Sequence, residues 1–218
     1  MIRFLIIIIF SVLLFSQDAL PNDIRWVRES GEYAALCQQT YKMAWETLRD
    51  DLRNSTIPTA IVMDLDETVL DNSMYQVEIT KKGEGFSMDT WADWVNRAEA
   101  DAIPGVKSFI DSIRTVKNTR LIFISNRMAE RTDVTIQNMK SLEMHDPTDI
   151  YLLRIDSADK KPVRRNEVFS GTGRMESTGG FMVMGWFGDA MGDFPAEKKD
   201  PDFGYSWFVL PNPMYGKW

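Results

Sequence analysis

The sequence is poor in the two residue types that most often build redox and zinc sites. It contains one cysteine, Cys37, and one histidine, His145, among 218 residues. A single cysteine excludes an intramolecular disulfide and a zinc site made of several cysteines. A single histidine excludes any mechanism that needs two. Because His145 lies in the turn-like stretch "EMHDPTD", we interpret it as a solvated loop residue.

The chain also lacks an excess of positive charge. It has 25 Lys and Arg against 32 Asp and Glu, which gives a formal net charge of −7. Nucleic-acid polymers are bound by clustered Lys and Arg, so we expect no such partner. A small phosphorylated substrate, held by one metal ion and one or two basic side chains, is compatible with this balance. Apolar residues make up 44% of the chain, which predicts a globular fold.

A long hydrophobic run occurs at the N-terminus, and no second run is long enough to span a membrane. After Arg3, a largely apolar stretch extends from Phe4 to Phe15, followed by small and polar residues. This layout is typical of a secretory signal peptide, and the stretch is shorter than the about 20 residues of a membrane span. We therefore expect residues 1–19 to be a signal peptide and the protein to be secreted, in the periplasm. An N-terminal segment that stays uncleaved and holds the protein at the membrane is the alternative.

Strands and helices alternate from Thr59 onward, and we expect residues 20–218 to form one domain. Apolar residues at helical spacing predict a helix over residues 30–53, and "TAIVMD" is typical of a strand buried on both faces. "RLIFIS", "DIYLLRI", "GGFMVMGWFGD" and "YSWFVLP" predict further strands. The order predicts an α/β fold with a largely parallel sheet. Residues from about 71 to 103 interrupt this alternation of strands and helices. We predict one helix in this region, "SMDTWADWVNRAEA", and expect the region to form a small helical cap together with parts of the helix over residues 30–53.

The first predicted strand leads into four acidic residues in "DLDETVLD". Asp64 and Asp66 are two positions apart, so in an extended segment their carboxylates would point to the same side. Two such carboxylates repel each other unless a cation lies between them. Mg²⁺ suits oxygen ligands of this kind.

Polar residues also follow later strands. Ser125 and Asn126 end "LIFISN", and Asp189 follows another strand, with Asp193 four residues later. Ligands of open α/β sheets bind outside the carboxyl ends of the strands, so these side chains should meet there. The lysine-rich "DKKPVRR" lies between them in the sequence. Taken alone, Asp189 and Asp193 could equally be a helix cap and a surface acid.

The order of these signals resembles the haloacid dehalogenase (HAD) superfamily of phosphotransferases. "DLDETVLDNSMYQ", "WVNRAEADAIPGV", "FISNR", "GDAMGDF" and "FVLPNPMYGKW" are similar to the class C bacterial acid phosphatases, a family that includes secreted and lipoprotein 5′-nucleotidases. The resemblance covers residues from about 31 to 218. It implies a HAD-like parallel sheet flanked by helices and, as in many members, a homodimer.

The resemblance also implies roles for individual residues. Asp64 would be the nucleophile that forms an aspartyl-phosphate, and Asp66 the general acid and base. Mg²⁺ would be bound by the Asp64 side chain, the Asp66 backbone carbonyl and Asp189. Asp193 would orient a metal ligand or water from outside the coordination sphere.

The phosphate-binding residues implied by the family are Ser125, Asn126 and a lysine. Counting forward from Asp156 selects Lys160, whereas counting back from the arginine pair selects Lys161, and we take Lys160 as the catalytic lysine. The arginines themselves, residues 164 and 165, we interpret as solvated helix charges or salt-bridge partners.

Aromatic residues suggest how the leaving group is bound. In the class C family, aromatics that match Trp91 and Tyr215 line the pocket, where they can stack on a nucleobase. Asn72, with Asp71, would shape the mouth of that pocket, whereas Glu67 is interpreted as structural. Trp186 and Trp207 are assigned to the core, and helix packing alone is the competing interpretation of Trp91.

We therefore expect a secreted Mg²⁺-dependent acid phosphatase that hydrolyses small phosphomonoesters, with nucleoside 5′-monophosphates as preferred substrates. One alternative is a surface protein of the same fold that binds a ligand without turnover. Another is a HAD phosphatase that acts on phosphoproteins, since some of these also carry "DLDET".

Overall fold

A computed structural model describes residues 20–195 and 202–216, and the predicted signal peptide lies outside these ranges. No helix in the described ranges is long and apolar enough to cross a membrane. In chain order the elements are α1 (Asn22–Glu29), α2 (Gly31–Asn54), β1 (Thr59–Met63), β2 (Leu70–Asp71), α3 (Ser73–Lys82), α4 (Met88–Arg97), β3 (Asp101–Ala102), α5 (Val106–Arg114), β4 (Thr119–Met128), α6 (Thr132–Ser141), β5 (Ile150–Arg154), α7 (Lys161–Ser170), β6 (Met182–Gly188) and β7 (Trp207–Val209).

Five strands form one sheet in the order β5-β4-β1-β6-β7, and all of its pairings are parallel. β1 lies at the centre, and every one of its residues is buried. Strands covered on both faces are continuous apolar runs, as "TAIVM" is. The predicted α/β fold with a parallel sheet is confirmed.

Two apolar layers enclose this sheet. On one face, Ile61 and Met63 pack in a cluster that includes Tyr41 of α2 and Phe109 of α5. On the other face, a second cluster contains Ala60, Val62, Ile122, Val168, Trp186 and Trp207. The two tryptophans assigned to the core are therefore buried, as predicted. With both faces covered, the carboxyl-terminal edge of the sheet is the place where polar side chains can meet.

Two helices lie between β2 and β3, where one was predicted. Ser87 caps α4 as expected, but α3 was not foreseen. Its buried residues Tyr75, Val77 and Ile79 alternate in sequence, which conceals the helical period. α1 was also not predicted; its Arg28 Nη1 donates a hydrogen bond to Ser73 Oγ at 3.0 Å, which ties the N-terminal helix to α3. We call residues 73–97 the two-helix insertion.

His145 is not the solvated residue that was expected. Its side chain is 13% exposed, and Nδ1 lies 3.3 Å from the Tyr151 hydroxyl. It precedes β5, at the opposite end of the sheet from the carboxyl-terminal edge, so it takes no part in the site described below. Cys37 is buried in α2.

Candidate active site

Three carboxylates and one ammonium group meet at the carboxyl end of β1. Carboxylate oxygens of Asp64, Asp189 and Asp193 lie within 4.8 Å of one another. Lys161, the first residue of α7, places Nζ 2.5 Å from Asp64 Oδ1, and the same Nζ forms an ion pair with Asp193. One ammonium group cannot balance three carboxylates, so the cluster keeps an excess of negative charge when all three are ionised.

A glycine makes this close approach possible. β6 ends at Gly188, directly before Asp189. A Cβ atom at position 188 would lie 2.4 Å from the side chain of Asp193, closer than non-bonded carbon atoms allow. Gly188 therefore leaves the space that Asp193 fills, and any larger residue would displace that carboxylate.

The electrostatics of the cluster follow from burial and mutual repulsion. Burial raises the pKa of Asp64 well above its ordinary value; the Lys161 charge opposes this, while Asp193 and Asp189 add to it. Burial, and then the charge of Asp193, raise the pKa of Asp189 to about 6. Burial acts to lower the pKa of Lys161, but Asp64 and Asp193 outweigh it, so that this pKa is raised and the lysine stays charged.

The Asp66 carboxylate is not part of the cluster that Asp64 forms with Asp189 and Asp193. Asp66 Oδ1 accepts hydrogen bonds from Arg127 Nε at 2.9 Å and Asn72 Nδ2 at 3.0 Å, and Oδ2 accepts one from Ser125 Oγ at 3.2 Å. The chain leaves β1 in a tight turn, with Leu70 N donating back to Leu65 O. The backbone of residues 64–66 is therefore not a simple extended segment. The alternation of side chains along a strand does not decide where these two carboxylates lie.

Arg127 is the functional-site residue that sequence reasoning missed. It is 2% exposed, and Nη2 lies 2.8 Å from Asp66 Oδ1 in an ion pair. Its guanidinium also lies 5.8 Å from the centre of the Trp91 ring. Its position in "FISNR" could have indicated a role in the site, because this basic residue directly follows a buried apolar run and two polar residues.

Asn72 does not shape the mouth of a pocket, because it is fully buried. Its amide nitrogen donates to Asp66, and its Oδ1 accepts hydrogen bonds from Trp94 Nε1 at 2.8 Å and Arg127 Nη2 at 3.3 Å. The predicted role of Asn72 at the mouth of the pocket is therefore corrected: its side chain holds the Asp66 carboxylate in place. Trp94, in turn, links this network to α4.

The two predicted substrate aromatics lie in different surroundings. Trp91 is partly buried and packs edge-on against Tyr75, with ring centres 5.2 Å apart. Tyr215 is 37% exposed, and its hydroxyl donates a hydrogen bond to Glu67. Glu67 is 1% exposed and also accepts a hydrogen bond from the Asn72 backbone, which agrees with its interpretation as structural.

The choice of Lys160 is overturned by the position of α7. Lys160 is the N-cap of that helix and is exposed, whereas Lys161 contacts Asp64 and Asp193. The two arginines that follow are not solvated. Arg164 is fully buried and pairs with Asp159, and Arg165 is 4% exposed and donates to Gly192 O.

Ser125 and Asn126 lie beside the cluster, on the strand next to β1. Met63 is paired with Phe123, so residues 125 and 126 align with the start of the acidic turn. Ser125 is fully buried and donates to Asp66, while Asn126 is exposed and its Oδ1 accepts from Arg164. The structure thus brings Asp64, Asp66, Ser125, Asn126, Asp189 and Asp193 to one edge, as predicted.

The protein has a parallel sheet in an α/β fold, an acidic cluster at the end of the central strand, and a helical insertion that follows this strand in the chain. These features are those of the HAD superfamily. Within that superfamily the chain belongs to subfamily IIIB, the acid phosphatases, whose family description matches residues 16–218. The predicted family is confirmed by this match.

Solved structures agree with it. The class C acid phosphatase from Bacillus anthracis is 30% identical, with a TM-score of 0.73, and the alignment covers 88% of this chain and 83% of that one. A structure of that enzyme with tungstate bound gives 31% identity and the same TM-score and coverage. The HAD-like fold is confirmed at this level of similarity.

Two plant proteins are more distant relatives. The Stem 31 kDa glycoprotein of Glycine max is 24% identical over 159 residues, which are 71% of this chain. Acid phosphatase 1 of Solanum lycopersicum is 26% identical over 192 residues, or 86% of this chain. The chain spans about three fifths of the length of these relatives, 58% and 65% respectively.

Proposed function

We propose that this protein is a secreted Mg²⁺-dependent acid phosphatase that hydrolyses phosphomonoesters, with nucleoside 5′-monophosphates as its preferred substrates. The observation that carries the proposal is the contact of Lys161 with Asp64 inside the carboxylate cluster. This contact puts the Asp64 carboxylate beside a fixed positive charge in a chain of an acid phosphatase family, which supports the proposed role of Asp64 as the nucleophile.

Asp64 is the proposed nucleophile. One of its oxygens attacks the phosphorus atom, and the bond from phosphorus to the ester oxygen breaks, which leaves an aspartyl-phosphate. Water then attacks that phosphorus, so phosphate is released and the carboxylate is restored. Phosphoryl transfer depends mainly on position and on stabilisation of negative charge, which Lys161 supplies at Asp64.

Asp66 is the proposed acid and base. It would protonate the departing ester oxygen and then accept a proton from the attacking water. Its hydrogen bonds to Arg127, Asn72 and Ser125 fix the carboxylate between β1 and β4. These contacts support a role for Asp66 that is separate from that of Asp64.

The cluster fits a hard divalent cation. Its donors are the carboxylate oxygens of Asp64 and Asp193, which are buried, and of Asp189, which is partly buried. The Lys161 ammonium group pairs with Asp64 and Asp193. Asp64, Asp189 and the Asp66 backbone carbonyl would hold Mg²⁺, which supplies charge neutralisation between an anionic nucleophile and an anionic phosphate. Asn212 Nδ2 donates to Asp189 Oδ2 at 2.7 Å, and Asp193 holds Lys161, so both residues would orient the groups that bind.

Aromatic surface near Asp66 supports a flat leaving group. Trp91 lies against Arg127, which contacts Asp66, and Phe86, with 60% of its surface exposed, packs near Trp91 at 6.3 Å between ring centres. Base stacking on such rings tolerates different bases. We therefore propose Trp91, and the exposed part of Tyr215, as the nucleobase wall.

We also propose that residues 1–19 direct the protein to the periplasm and that it forms a homodimer. Residues about 71–103, together with parts of α2, the helix predicted over residues 30–53, would act as a cap over the site. The contact of Arg28 with Ser73 also ties α1 to this region.

The proposal is tested by phosphate release from several nucleoside 5′-monophosphates, p-nitrophenyl phosphate and a phosphopeptide. We expect turnover of the first two classes with Mg²⁺, loss of turnover in chelator, and recovery when Mg²⁺ is restored. Turnover of the phosphopeptide alone would replace the nucleotidase proposal with a phosphoprotein phosphatase. A folded protein that binds phosphate but hydrolyses none of these substrates would instead be a ligand-binding member of the fold.

Metal binding should depend on pH through Asp189. Its pKa in the folded protein is about 6, above the ordinary 3.8, so the folded state binds this proton more tightly than the unfolded chain does. The metal-free protein should therefore lose stability as pH rises from 3.8 to about 6. A cation needs the ionised carboxylate, so Mg²⁺ should raise the melting temperature more at about pH 7.5 than at about pH 5.

Thermal unfolding with and without Mg²⁺ measures this difference. At a free Mg²⁺ concentration of about 100 times Kd, the stabilisation should reach about 2.7 kcal/mol above the titration range. An equal Mg²⁺ effect at both pH values would show that protonation of the cluster does not compete with the metal. Asp189→Asn, which cannot titrate, should remove most of the metal effect at both pH values.

A further inference from the structure

The guanidinium of Arg164 connects three segments beside the site: β4, β5 and the loop before α7. It is fully buried and lies on α7 one turn after Lys161. Nη1 donates to the Ser125 carbonyl and, at 3.1 Å, to the Leu152 carbonyl, at the ends of β4 and β5. Nη2 donates to Asp159 O at 3.2 Å in the loop before α7. A lysine has its donors on one atom and could not span these acceptors.

The same Nη2 also fixes which way the Asn126 amide faces. It lies 2.9 Å from Asn126 Oδ1. Arginine has donors and no acceptor, so the atom of Asn126 that faces it must be the amide oxygen. The amide nitrogen is then turned the other way, and it has no hydrogen-bond acceptor among residues 20–195 and 202–216. Asn126 is exposed at the edge of the sheet, so this nitrogen is available to a bound anion.

We propose that Arg164 is a positioning residue that holds the Asn126 amide with its nitrogen toward the phosphate site. The inference rests on the proposed function and adds a residue that does not itself touch substrate. Without the guanidinium, the amide could rotate and present its oxygen, which repels a phosphate oxygen. Arg164 also holds the Asp159 backbone two residues before Lys161, so one buried group sets the position of both phosphate-binding elements.

A double-mutant cycle tests whether Arg164 acts through Asn126. The four proteins are the wild type, Arg164→Lys, Asn126→Ala and the double variant, and the measured quantity is the inhibition constant of tungstate, a phosphate-shaped anion. We expect each single change to weaken tungstate binding about tenfold, and the double variant also to lose about tenfold rather than a hundredfold. Melting temperatures report separately on folding.

Arg174→Lys is the matched control. Arg174 pairs with Asp159 at 3.0 Å and donates to Leu153 O, but it does not contact Asn126. This change should lower the melting temperature while tungstate affinity stays within about twofold in both the wild-type and Asn126→Ala backgrounds. A purely structural role for Arg164 would make the two arginine variants behave alike.

Asn126→Asp keeps the test decisive if Arg164→Lys does not fold. The new carboxylate can still accept from Arg164 but offers no donor, so tungstate binding should fall at least tenfold without a lower melting temperature. Wild-type tungstate affinity in Asn126→Asp, or additive losses in the cycle, would overturn the inference. If the wild type binds tungstate but hydrolyses no phosphomonoester, the proposed function is wrong. The double-mutant cycle still measures the coupling between Arg164 and Asn126 in that case. A wild type that does not bind tungstate would overturn both.

Discussion

Asp64→Asn is expected to lower kcat/KM for p-nitrophenyl phosphate by about 10⁴-fold, because an amide cannot form the covalent intermediate. The protein should nevertheless fold. Burial raises the pKa of Asp64, so the ionised carboxylate is unfavourable in the folded state near neutral pH. A neutral side chain of the same shape removes that cost, and we expect the metal-free melting temperature to equal or exceed that of the wild type.

Steady-state kinetics and thermal unfolding of the same samples check this combination. Asp51→Asn makes the same chemical change at an exposed position of α2 and should leave kcat/KM within about twofold. Activity of Asp64→Asn within about tenfold of the wild type would rule out Asp64 as the nucleophile. A large loss of melting temperature would instead show that the carboxylate is needed for folding.

Lys161→Met is expected to lower kcat/KM by about 10²- to 10³-fold, while Lys160→Met changes it less than about threefold. Lys161 contacts both Asp64 and Asp193, whereas the side chain of Lys160 is exposed at the N-cap of α7. Adjacent lysines of identical chemistry thus form a matched pair. Removal of Lys161 leaves the carboxylates with a larger excess of negative charge, which favours cation binding, so the variant should reach its maximal rate at a lower Mg²⁺ concentration than the wild type.

Kinetics at several Mg²⁺ concentrations separate these effects. Equal losses in the two variants would indicate a general effect of lysine removal on the start of α7. A larger loss in Lys160→Met would restore the count that runs forward from Asp156. Circular dichroism of both proteins verifies that the helix is kept.

Some of the site could be predicted because strand ends are visible in the sequence. Asp64, Ser125, Asn126 and Asp189 each follow an apolar run, and parallel strands bring such positions to one edge. The register of Lys161 could not be predicted. Asp156 Oδ1 accepts hydrogen bonds from the backbone of Ala158 and Asp159, so a tight turn before α7 accounts for the one-residue difference between the two counts.

The network behind Asp66 was beyond sequence reasoning for a different reason. Asn72, Trp94 and Arg127 are separated by many residues in the sequence, and no sequence pattern links them to one another. Their contacts exist only because α4 and β4 meet beside the acidic turn. A buried arginine is hard to distinguish from a surface charge in the sequence. Of the two interpretations of Arg164, the salt-bridge partner is the correct one, because Arg164 is buried and pairs with Asp159.

The C-terminal segment sets the order in which the site can be assembled. Asn212 contacts Asp189, and Tyr215 contacts Glu67, which lies 148 positions earlier in the chain. Chains emerge from the ribosome N-terminus first, so the entire sheet can be made before either contact is available. A nascent chain that ends after β7 would hold Asp64 and Lys161 but lack the groups that contact Asp189 and Glu67. These two contacts can therefore form only after the other residues of the site have been synthesised.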